Sequence, residues 1–147
     1  PKPKEEKSLE MNWKIQLTIG TKVMNREING SSTNIMMDLA PYIKDGRTML
    51  PVRYVAQGLG SDVEWIQRTR TVVLLAGSTK VEIPIDTDKI IVNGTVYRGD
   101  VKPEIKNGRA MLSIGNIARA LGLQDGKDII WNKNTKTVTI YRSILVK

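Results

Sequence analysis

The chain has 147 residues, 40% apolar and 26% charged, and its 23 Lys and Arg against 15 Asp and Glu give a net charge of +8. It contains no Cys and no His, which excludes disulfides, thiolate nucleophiles, ordinary zinc sites and imidazole acid–base chemistry together. No stretch of about 18 apolar residues is present, so no membrane insertion is expected, and the length suits one core or two small ones sharing an interface.

The first residues, PKPKEEKSLE, hold two prolines, mixed charge and almost nothing to bury. They are polar rather than signal-like, and residues 1–13 read as an extended linker to something preceding them in a longer protein. From Lys14 the chain repeats itself. KIQLTIG (14–20) matches KVEIPID (80–86), each alternating apolar and polar residues as a half-buried strand does. Asn29-Gly30 and Asn93-Gly94 follow, dipeptides suited to tight hairpin turns. Both also begin the sequon NGS or NGT.

Next come IKDGRTMLP (43–51) and IKNGRAMLS (105–113), 62 positions apart. Their Asx-Gly pairs predict turns that reverse short strands after Pro41 and Pro103. A helix is expected after each. Its apolar stripe is Val52, Val55, Ala56 and Leu59 in one case and Ile114, Ile117, Ala118 and Leu121 in the other, at identical spacing. Pro51 suits a helix start and Gly60 the left-handed position beyond its end; Ser113 is placed to cap the second helix, and Gly122 closes it. Two strands with a polar turn then follow each helix, DVEWIQRTRTVVLL and DIIWNKNTKTVTIY, so that Trp65 corresponds to Trp131. An insertion within Leu123–Asp128 accounts for the extra four residues of offset.

These elements predict an α+β protein of two tandem repeats, residues 14–79 and 80–147, each a small antiparallel β-sheet with one short α-helix, packed together. A nine-residue helix is marginal alone, so packing must hold it.

Several residues carry possible chemistry. Arg47 and Arg109 sit just after the Asx-Gly turns, where a guanidinium can grip a carboxylate or phosphate. It can equally bond loop carbonyls or an acid such as Asp38 or Asp62 and fix the junction to the helix, and this structural role is the expected one. Arg53, near the start of the first helix, has the same two readings. Trp65 and Trp131 offer stacking faces for sugars or bases, but their equivalence beside strand valines and isoleucines favours a place in the core. Trp13, Tyr42, Tyr97 and Tyr141 are then the better candidates for an exposed ligand-binding surface. Met36-Met37 are expected to be packed inside rather than to bind copper. Asp86-Thr87-Asp88 and Asp125/Asp128 lack the ligand series of a calcium loop. No catalytic residues, metal ligands or cofactor site are expected.

The stretch APYIKDGRTMLPVRYVAQGLGSDVEWIQRTRTVVL resembles the repeat of bacterial copper amine oxidase N-terminal-like domains, through Pro41, Gly46, Arg47, Thr48, Pro51, Arg53, Leu59, Gly60, Val63 and Trp65. The second copy is degenerate. It keeps Pro103, Gly108, Arg109, Leu121, Gly122 and Trp131, with Ser113 and Gly115 in place of the Pro and Arg. The resemblance implies a non-catalytic accessory module of secreted and surface-layer-associated proteins of Firmicutes, covalently linked to neighbouring domains. It does not imply oxidase activity, because the catalytic core of those enzymes holds copper with three His and this chain has none.

The expected function is binding or spacing at a bacterial cell surface, with a cell-surface protein or polysaccharide as partner. Two alternatives stand beside it: a carbohydrate-binding module of a secreted glycan-active enzyme, and a basic module that binds anionic polymers of the cell wall or nucleic acid. The charge excess is spread along the chain, 11 basic and 8 acidic residues in 1–79 against 12 and 7 in 80–147, as a merely solvated basic surface would be.

Overall fold

The structure, a computed structural model, describes residues 9–146. Strands β1 (Leu9–Thr18), β2 (Val23–Ile28) and β3 (Ser31–Met36) form a meander. Residues 9–13, expected in the linker, are therefore strand, and the rest of that expectation lies outside the described residues. At the β2–β3 turn Asn29 and Gly30 take φ of +48° and +87°, the left-handed pair a two-residue hairpin demands. Strands β4 (Tyr42–Lys44) and β5 (Arg47–Pro51) turn at Asp45-Gly46 and lead into α1 (Val52–Gly58), after which β6 (Asp62–Ile66) and β7 (Thr71–Ala76) form a hairpin.

The same order of elements then recurs. It runs through β8 (Thr79–Pro84), β9 (Lys89–Val92), β10 (Thr95–Arg98), β11 (Glu104–Lys106), β12 (Arg109–Ser113), α2 (Ile114–Leu121), β13 (Ile129–Asn132) and β14 (Thr137–Val146). Ser113 caps α2, its hydroxyl accepting from the Asn116 N–H, and Gly122 ends it at φ +69°. Three residues, 59–61, join α1 to β6 and seven, 122–128, join α2 to β13. That places the four-residue insertion in the second of these loops.

The expected fold class requires correction. The described chain is 55% strand and 11% helix, and it forms three sheets rather than one small sheet with a helix in each half. The two helices announce themselves in sequence through their stripes, yet they span only seven and eight residues. Each five-stranded sheet also mixes the halves. One has the order β13-β14-β1-β2-β3 and the other β10-β9-β8-β7-β6. Strands β1 and β14 pair over ten residues, from Leu9 opposite Val146 to Thr18 opposite Thr137. The third sheet, β11-β12-β5-β4, has the seam between the halves at its centre.

On that seam Leu50 lies opposite Leu112, with Met49 opposite Ser113 and Pro51 opposite Met111. Residues 62 positions apart thus meet across an approximate two-fold axis, which explains why the two nine-residue stretches are so alike. Side chains alternate across the sheet. Leu50 and Leu112 point into the main core, where they join Ile15, Leu17, Val138 and Ile140 of one five-stranded sheet, Val72, Leu74, Val81 and Ile83 of the other, and the stripes of both helices. Met49 and Met111 point the other way into a smaller cluster with Leu39, Tyr42, Tyr54 and Val101. One core therefore runs through both halves.

Candidate functional site

Ion pairs cross the seam in matched fashion. Arg109 Nε donates to Asp38 Oδ2 at 2.8 Å, and Arg47 Nε lies 3.7 Å from Asp100 Oδ2. Each guanidinium reaches an acid of the other half. The hydrogen bond from Arg109 holds the Asp38 carboxyl below its usual range. Asp100 accepts from the Ser113 hydroxyl at 2.6 Å, and its N–H donates to Asn116 Oδ1 at 2.9 Å, which ties the start of α2 to the loop before β11.

The edge strands β4 and β11 meet through Tyr42 and Glu104. The Tyr42 hydroxyl donates to Glu104 Oε1 at 2.6 Å, while Lys44 is ion-paired with Oε2 of the same carboxylate. Lys106 Nζ sits 4.4 Å from the centre of the Tyr42 ring. The hydrogen bonds from Lys44 and Tyr42 hold Glu104 low, and burial together with the neighbouring carboxylate raises the Tyr42 hydroxyl. This cluster is internally satisfied, and it fastens the central sheet.

A groove of about 470 Å³ lies between the β6–β7 hairpin, the first turn of α1 and the β11–β12 turn. Its floor is apolar, from Val52, Val63, Val72 and Ala110, and its rim carries Arg53, Glu64, Trp65, Gln67, Arg70 and Arg109. Trp65 faces the same side of its sheet as Val72, its cross-strand partner. Because β6 is the edge strand and α1 is short, the indole overhangs the core instead of entering it, and 43% of the residue is exposed. The expectation that Trp65 and Trp131 are core residues is therefore corrected. Trp131, on the opposite edge strand β13, is 37% exposed. Trp65 Nε1–H donates to Gln67 Oε1 at 2.8 Å, an exposed bond that engages the ring's one polar group.

The groove cations differ. Arg70 is paired with Asp86 at 2.9 Å and Arg109 with Asp38 at 2.7 Å. Arg53 is exposed and makes no ion pair or side-chain hydrogen bond among the described residues. At the matching place in the second half stands Gly115, where an added Cβ would lie 2.9 Å from Asp100 Oδ2. A side chain there would displace the Asp100 network, so the second half carries no counterpart to Arg53.

The four aromatic candidates do not gather. Trp13 packs its ring against Gly60 and its Nε1 is buried with no hydrogen-bond partner. Tyr42 is engaged with Glu104 as described. Tyr97 on β10 lies under Arg119, 5.0 Å from its ring centre, and Tyr141 on β14 faces Lys14 at 5.9 Å. What the structure does bring together are Arg53, Trp65 and Arg109, which the sequence suggested chiefly as scaffold. Gln67 and Arg70 complete the groove and were not singled out; the polar turn QRTR between two strands was the only sign of them.

Met36 and Met37 also divide between faces, since Met37 is buried whereas Met36 is 73% exposed. Asp86 and Asp88 pair with Arg70 and Arg98.

A β-rich scaffold in which the order of elements recurs, with a groove of apolar floor and polar rim and no cluster of potential metal ligands among its described residues, is the class this geometry defines. The model of the copper amine oxidase N-terminal domain matches residues 27–140, and the chain belongs to that family. The domain is the non-catalytic N-terminal part of copper amine oxidases. No curated protein and no solved structure matches the chain. The residues present do not fit a copper centre. The sequence supplies no imidazole or thiolate donor, and the two adjacent methionines point to opposite sides of their strand end.

Proposed function

We propose that this chain is a non-catalytic module of a secreted or cell-surface bacterial protein, and that it binds an extracellular polymer in the groove beside Trp65. We further propose that its halves descend from one duplicated unit. The observation that carries the reading is the convergence of an exposed indole with Arg53 and Arg109 on one groove. An exposed aromatic ring beside polar groups in a groove suits a ligand. Composition supports the non-catalytic part, since the usual nucleophile and base partners are missing.

The basic charge does not favour a general polyanion binder. Lys14, Lys44, Arg70, Arg98 and Arg109 each pair with an acid, and the remaining excess is spread along the chain rather than clustered. The test is a titration of the ¹⁵N-labelled chain with a panel of bacterial cell-wall polysaccharides and surface-protein peptides. Binding at the groove shifts the Trp65 indole signal and leaves Trp131 in place. A panel in which nothing moves Trp65, or in which Trp131 and Trp65 move alike, refutes the reading.

A further inference from the structure

Resting on that reading of the groove, we propose that its ligand is a carboxylated sugar chain of the uronic-acid type, stacked on Trp65 with a carboxylate held by Arg53. The indole of Trp65 has its only polar group already bonded to Gln67. What it still offers is a flat π face, which matches the C–H face of a pyranose ring. Arg53 is the groove cation without an acid among the described residues, while Arg70 and Arg109 are neutralised by Asp86 and Asp38. A planar guanidinium left in this state is suited to a bidentate carboxylate.

Gln67 on the same rim adds a neutral amide beside the indole. One carboxylate per sugar ring can reach Arg53 while a ring hydroxyl meets Gln67. The groove volume of about 470 Å³ falls in the range of roughly 300–1,000 Å³ found for small-ligand sites. The second half supplies an internal control. There Trp131 is exposed but Gly115 replaces the arginine, so stacking without charge recognition is all that edge can offer.

The experiment titrates the chain with oligogalacturonate and oligomannuronate, with the methyl ester of the former, and with a hexaglutamate peptide, following the indole N–H signals. The expected result is a saturating shift of Trp65 with a uronate, and at least tenfold weaker binding of the ester. The Arg53→Gln variant, at an exposed position, should bind acid and ester alike, and Trp65→Ala, followed through the backbone amides of Gln67 and Arg53, should lose both; dispersed amide spectra verify that each is folded. An ester that binds as well as the acid, or a peptide that binds more tightly than either uronate, overturns the inference and leaves the groove reading standing. If no uronate, ester or peptide, and no member of the polysaccharide panel, shifts Trp65, both fall.

Discussion

Replacing Leu50 by Ala tests whether the two halves share one core. Leu50 and Leu112 face each other at the centre of the seam and neither has exposed surface. The substitution removes about 2–3 kcal/mol of transfer free energy, and the surrounding strands cannot collapse on the void without parting the β5–β12 pair, so the total is about 3–4 kcal/mol. For a chain of this length each kcal/mol lowers Tm by about 2–4 °C, giving a fall of about 10 °C. Hydrogen exchange locates the loss. With a common core, protection should fall in residues 80–146 as much as in 14–79, within a single melting transition. Leu112→Ala should behave as its mirror image, and the double variant should deviate from additivity by about 0.5 kcal/mol or more because the two side chains touch. Unchanged protection in residues 80–146 of Leu50→Ala, or two separate transitions, would refute the shared core.

Gly60→Ala places a Cβ 2.8 Å from the Trp13 ring at φ +81°; a loss of about 2 kcal/mol or more is expected, with a change in Trp13 fluorescence, and a variant as stable as the parent would contradict the packing. Glu104 has a folded-state pKa below its ordinary 4.5, so its stabilisation is complete above the unfolded value and disappears as pH falls through the lower folded one. Denaturant titrations should therefore show stability dropping below about pH 5, and Glu104→Gln should be less stable at neutral pH with a shallower drop; an unchanged slope would dismiss the role of this carboxylate. Joining Val146 to Leu9 through a short glycine-rich loop, and opening the chain at Gly77-Ser78 between β7 and β8, should give a folded permutant within a few degrees of the parent Tm. The β14–β1 pair would then be the hairpin and β7–β8 the closing pair, and a permutant that stays unfolded would show the two pairings not to be interchangeable.

What could be read in the sequence was local. Asn29-Gly30, Asp45-Gly46, Asn93-Gly94 and Asn107-Gly108 all take the positive φ pairs expected of them, because a tight turn depends on the dihedral tolerance of its own two residues. The helix stripes were equally plain, and Val55, Ala56, Leu59 and Ile117 are buried as their spacing requires. Strand partners were not legible. Alternation in KIQLTIG and KVEIPID shows which face is buried but not which strand lies alongside, and the closing pair of each five-stranded sheet comes from the other half. The tryptophans failed for a related reason. Equivalent positions share an environment, but equivalence does not say whether that environment is a core or an edge. Asp38 was named as a possible partner of these arginines, yet that it would serve Arg109 across the seam followed only from the β5–β12 pairing.

Where the two halves differ is as informative as where they agree. Across the axis Leu50 and Leu112, Arg47 and Arg109, and Asp38 and Asp100 are kept alike, since each makes the same contact twice. Tyr42 and Glu104 occupy matching positions and touch each other, so they cannot both be Glu without repulsion or both Tyr without losing the anchor for Lys44. Their difference follows from the fold. Tyr54 and Asn116 likewise serve one purpose by different means, the hydroxyl of Tyr54 accepting from the Asp38 N–H at 3.3 Å and the amide of Asn116 accepting from the Asp100 N–H at 2.9 Å. Arg53 and Gly115 have no such account. Glycine is required by the crowding of Asp100, but nothing within the described residues requires an arginine at 53, where a shorter polar side chain would leave every contact intact. A charge that the fold does not use, set beside an indole that the fold leaves 43% exposed, is the asymmetry on which the proposed ligand site rests.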